Sequence, residues 1–92
     1  LLDTFIEKTN QVFDALVENG TDDELFAGGY LRGHFDLALG QLQITAEDFT
    51  IETLLSDVEQ SLLKAIDQGE LNAQDIVLVR SLMDKITALT PA

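Results

Sequence analysis

The sequence contains no cysteine and no tryptophan, and only one proline, one tyrosine and five basic residues in a length of 92. Without cysteine there is no disulfide, no thiolate metal site and no thiol nucleophile. That absence fits a reducing compartment. The single proline, Pro91, leaves the rest of the chain free of the residue that breaks helices most strongly. No apolar run approaches the ~20 residues of a membrane-spanning helix. No basic-then-apolar leader is read either. The first residue is Leu1 rather than Met, so a few preceding residues are expected to be trimmed or disordered.

The scarcity of bases is the most unusual global feature. Seventeen acidic residues against five basic ones give a formal charge of -12. Lys8, Arg32, Lys64, Arg80 and Lys85 are dispersed along the chain, whereas a phosphate backbone or an anionic membrane needs clustered Lys and Arg. Neither nucleic acid nor an anionic membrane is therefore expected as a partner. The acids are spread rather than gathered in a tail, which describes a solvated surface. Keeping a small protein soluble accounts for such a surface; a protein partner with a basic patch is the partner class it would favour.

What is present is a helical pattern. Apolar residues make up 46% of the chain, enough for one modest core, and the length implies a single domain over residues 1–92. Leu2, Phe5, Ile6, Val12, Phe13, Leu16 and Val17 recur at three- and four-residue steps, predicting a helix over about 2–18. Asn19-Gly20 ends it with residues that tolerate the left-handed conformation. Thr21-Asp22-Asp23-Glu24 reads as a capping box opening a second helix over about 22–42. Gln43 to Thr50 forms the longest connection. Thr50 caps a third helix over about 51–68, stopped by Gly69, and Asn72 caps a fourth over about 73–89. No segment alternates with period two. The expected fold is all-α, an antiparallel four-helix bundle.

Helix 2 is the segment that such a bundle does not explain. It carries Gly28, Gly29, Gly33 and Gly40, each costing ~1 kcal/mol relative to alanine inside a helix. Gly29 and Gly33 lie one turn apart on one face, a spacing that lets another backbone approach closely. Close packing inside the bundle is the favoured reason, and it predicts that Gly33→Leu strongly lowers the melting temperature. The alternative is a notch for a ligand, a partner or a bend. Around the glycines stand Phe26, Tyr30, Arg32, His34 and Asp36. Tyr30 and His34 share a face, and Arg32 and Asp36 share another, four residues apart and able to pair weakly. With Gly29 and Gly33, these five residues form the candidate interaction or ligand site.

No catalytic, cofactor or metal residue is assigned. His34 is the sole histidine and has no nucleophile or orienting group at a recognised spacing, so it reads first as a polar-tipped aromatic bordering the core. Asp22, Asp23 and Glu24 belong to a helix start and lack the alternating acids of a calcium loop. Gln60-Ser61-Leu62 lacks the preceding Asp of an acyl-carrier serine motif.

The stretch Asp22-Asp23-Glu24-Leu25-Phe26-Ala27-Gly28-Gly29-Tyr30-Leu31-Arg32-Gly33-His34 resembles the central motif of the YfcL family, small proteins of gammaproteobacteria. Gln60-Ser61-Leu62, Lys64-Ala65-Ile66 and Gly69-Glu70-Leu71 are similar to the family's later motif. The resemblance implies a bacterial cytoplasmic protein of uncharacterised function, with no catalytic residue, cofactor or substrate to carry over. Two function classes follow from the residues themselves. One is a small acidic, non-enzymatic protein-interaction module. The other is a small-molecule or anion binder, or an enzyme, using a glycine-lined notch in which Arg32 holds an anion and His34 moves a proton.

Overall fold

The computed structural model describes residues 1–46 and 48–91; Glu47, inside the connection between the second and third helices, and Ala92 lie outside the described residues. Four helices follow one another: α1 (Leu2–Asn19), α2 (Asp22–Thr45), α3 (Ile51–Asp67) and α4 (Ala73–Thr87). They form the all-α antiparallel four-helix bundle that the periodicity predicts. No strand occurs among the described residues. None of the helices is long and apolar enough to cross a membrane.

The helix starts are local chemistry. Thr21 Oγ1 accepts from the Glu24 amide at 3.2 Å while the Glu24 carboxylate accepts from the Thr21 amide at 3.0 Å, completing the capping box. The backbone hydrogen bond from Thr21 is the main reason the Glu24 carboxyl is held below its ordinary range. Thr50 caps α3 through the Thr53 amide at 3.1 Å, and Asn72 caps α4 through the Asp75 amide at 2.8 Å.

The helix ends differ more from expectation. Gly69 stops α3 at φ 78°, with the Glu70 amide reaching back to the Ala65 carbonyl at 3.2 Å and the Gly69 amide to Ile66 at 3.0 Å. Gly20, expected to be left-handed, is extended at φ -77° and ψ 155°. Its lack of a side chain matters for another reason: a Cβ there would lie 2.6 Å from the Leu16 carbonyl oxygen. Helix α2 runs to Thr45, three residues beyond the expected end at Leu42, and α4 ends at Thr87 instead of 89. Leu42 is the last buried residue of α2, and the turn beyond it is solvated with Ile44 85% exposed, so core burial does not mark where the helix ends.

The core is built around α2, which packs against each of the other three helices. Leu31 and Phe35 of α2 meet Phe5 and Phe13 of α1, Leu54, Val58 and Leu62 of α3, and Val79 and Ile86 of α4 in one buried cluster. Phe13 and Phe35 stand edge to face with centroids 6.1 Å apart. Burying a side chain of this kind contributes ~1.5–3 kcal/mol before the entropy of ordering it is subtracted. Thr9 fills its turn of the α1 stripe fully buried, its hydroxyl donating to the Phe5 carbonyl at 2.9 Å. Val17, expected on that stripe, is instead 66% exposed.

Candidate functional site

One face of α2 is consumed by the core: Ala27, Gly28, Leu31, Phe35, Ala38 and Leu42 are buried. The opposite face is open and still apolar. At 100° per residue, Phe26, Tyr30, Gly33, Leu37, Gly40 and Ile44 fall within about 40° of a single line along the helix. Phe26 is 49% exposed, Leu37 60% and Ile44 85%. No residue of this ridge carries a charge, in a chain whose surface is otherwise acidic.

The glycines divide between the two faces, which reverses the expected packing role. Gly28 is the one that packs, since a Cβ there would stand 3.0 Å from Leu16 Cδ1. Gly29 and Gly33 are exposed, and a Cβ at either, or at Gly40, would meet nothing within 4 Å. The stripe of small residues was therefore correctly located on one face, but that face points to solvent. The sequence could not separate Gly28 from Gly29 because adjacent helical positions differ by only 100° and both neighbour apolar residues.

Along one edge of the ridge the side chains meet α3 and the turn that follows it. Phe26 stacks on Tyr30 with centroids 5.9 Å apart, and Tyr30 packs against His34 at 4.9 Å. The Tyr30 hydroxyl donates to Glu70 Oε1 at 2.8 Å. Burial pushes the Tyr30 phenol up to about 12, with the Glu70 carboxylate adding to the shift by accepting a hydrogen bond from the neutral phenol and by its charge. His34 Nδ1 lies 2.6 Å from Ser61 Oγ. Thus the two sequence segments set apart above meet in space, Tyr30 on Glu70 and His34 on Ser61. A shallow cavity of about 380 Å³ lies beside this seam, with His34, Leu37, Gln41, Asp57, Ser61 and Lys64 in its lining.

Arg32 takes no part in this seam. It turns to α1, where it meets Asp14 at 3.2 Å and Asn10 at 3.5 Å, with its guanidinium 5.5 Å from the centre of the Phe13 ring. The expected Arg32–Asp36 pair is not formed; Asp14 offers the same charge across the helix interface, and Asp36 is left exposed. Tyr30, Arg32 and His34 consequently do not converge, so an anion held by Arg32 would be remote from the imidazole. The His34–Ser61 contact resembles a base beside a hydroxyl. Ser61 lies inside α3, where backbone N–H groups are committed to the helix rather than available to a developing oxyanion. No three acidic or histidine side chains among the described residues are grouped to hold a metal ion.

Several residues of this region escaped the sequence reading. Leu37 and Ile44 had a signal, since with Gly40 they continue the Phe26–Tyr30–Gly33 line at helical spacing. Asp14 had none, and Ser61 and Glu70, though named in the motifs above, had none that placed them beside α2, because these contacts arise only from packing between helices.

Residues 3–88 match the model of a family described as "YfcL protein". A curated Escherichia coli (strain K12) protein named "Uncharacterized protein YfcL" is 41% identical over 75 residues, covering 82% of this chain and 80% of that one. No solved structure matches the chain.

Proposed function

The chain belongs to the YfcL family, and on that premise we propose that it is a small, acidic, non-enzymatic interaction module of the bacterial cytoplasm that docks a protein partner along the open face of α2. The observation that carries this reading is the set of glycines on that face. Gly29, Gly33 and Gly40 stand where alanine would fit without contact, and each costs ~1 kcal/mol of helix stability relative to it. Among the described residues nothing lies within 4 Å of a Cβ at any of the three, so no close packing inside the fold offsets that cost. Close approach by a second molecule does, because glycine is the residue that lets another backbone reach a helix axis. The large apolar side chains interleaved with them, Phe26, Tyr30 and Leu37, supply the contact area expected at the centre of an interface.

Site-specific photo-crosslinking tests the proposal. A photoreactive residue at position 37 is expected to capture one defined protein in the native host, and the same residue at exposed Val77 on α4 is not. Equal capture from both positions, or capture from neither, would reject docking on this face.

A further inference from the structure

We infer that the occupant of this face is an amphipathic helix of a partner protein whose apolar stripe is flanked by lysine and arginine; the inference rests on the docking role proposed above and adds the shape and charge of the partner.

The shape follows from the ridge. From Phe26 to Ile44 it spans 19 residues of one uninterrupted helix, a rise of about 27 Å at 1.5 Å per residue step. All of that length presents side chains only, because helical N–H and C=O groups are already paired. An extended segment laid on it would find no backbone partners, whereas a helix brings its own hydrogen bonds already made. Packed helices sit 8–10 Å apart depending on the side chains at the crossing. The empty space above Gly29 and Gly33 provides a crossing point, with Phe26 and Tyr30 on one side of it and Leu37 on the other.

The charge follows from the rim. Glu70 holds the Tyr30 hydroxyl, Asp57 lines the cavity beside His34 and Leu37, and Asp36 stands exposed next to Leu37 on the opposite flank. Lys64 is the base in that cavity lining, and Arg32 is turned away onto Asp14. An uncharged ridge edged by carboxylates on both flanks is complementary to an apolar stripe edged by bases. A second copy of this chain fits poorly, because it would set one charge of -12 against another.

Two 18-residue model helices with the same leucine and alanine stripe, flanked in one by lysine and in the other by glutamate, distinguish the possibilities. Titrated into the 15N-labelled protein, the lysine peptide is expected to shift the amides of Phe26, Gly29, Tyr30, Gly33 and Leu37. Its affinity should fall at least tenfold between low and 0.3 M salt, and several-fold in the D36N/D57N/E70Q variant. The glutamate peptide should leave these amides unmoved. If both peptides bind the face equally, the charge assignment is overturned while docking on α2 stands. If the lysine peptide instead shifts residues away from α2, both the helix assignment and the docking role fall. A concentration-dependent dimer in sedimentation equilibrium, abolished by Leu37→Asp, would replace the basic helix by a second copy.

Discussion

The Tyr30 hydroxyl donates to the Glu70 carboxylate at 2.8 Å across forty residues of sequence, tying the open face of α2 to the turn between α3 and α4. Gly69, at φ 78°, makes the sharp helix stop that leaves Glu70 in reach. The exposed ridge is thus held at one edge by a bond whose two halves come from separate helical hairpins.

That bond has a direct titration signature. Tyr30 is the sole tyrosine and the chain has no tryptophan, so phenolate absorbance reports it alone. Its midpoint is expected near 12, from an ordinary value of 10.0. Glu70→Gln should lower the midpoint without restoring the ordinary value, since burial is the larger cause. The fold binds the Tyr30 proton more tightly than the unfolded chain does. Its contribution to stability is therefore complete below pH 10 and is lost as the pH rises towards about 12. Tyr30→Phe should flatten that part of the stability profile. A midpoint at the ordinary value would refute the contact.

The glycines separate by what surrounds them. Gly33→Ala is expected to stabilise the protein by ~0.5–1 kcal/mol, because its Cβ enters open space and alanine is the better helix former. The same substitution should weaken partner binding if the α2 face docks a close-packed backbone. Gly20→Ala should destabilise, since its Cβ would stand 2.6 Å from the Leu16 carbonyl oxygen. Thermal unfolding by circular dichroism reads both changes, and a stability loss in Gly33→Ala would contradict the exposed placement of that residue.

Arg32 distinguishes docking from anion binding. Its guanidinium spans Asp14, Asn10 and the Phe13 ring at the α1–α2 surface. Removing it by Arg32→Ala is expected to cost no more than ~1 kcal/mol of stability, typical of an exposed ion pair with some packing. Partner capture through position 37 should be unchanged. Loss of capture in this variant, with the fold intact by circular dichroism, would place the functional surface on the α1 side.

Much of the fold was legible because helix formation is decided locally. Thr21, Thr50 and Asn72 cap the helices they were expected to cap, since a cap involves a side chain and an amide three residues away. The stripes through Phe5, Phe13, Leu54, Val58, Val79 and Ile86 became the core because periodicity places apolar residues on one side of a helix before any neighbour arrives. Where local signal faded, so did accuracy: the solvated last turn of α2 was missed, and Val17 was assigned to a face that its partner helices do not reach.

The sequence by itself determined four helices, three of them opened by side-chain caps, an acidic surface and an excess of glycine and aromatic residues between Phe26 and Asp36. Which side of α2 those residues face was decided only by tertiary structure. Helix α2 is apolar on both sides, so its own pattern does not say which side three neighbours will cover. The packing of α1, α3 and α4 buries Gly28 and leaves Gly29 and Gly33 open. It turns Arg32 onto Asp14 and closes Tyr30 on Glu70 and His34 on Ser61. Those contacts join residues 18 to 40 apart in the chain, and their partners are chosen by the way the helices meet.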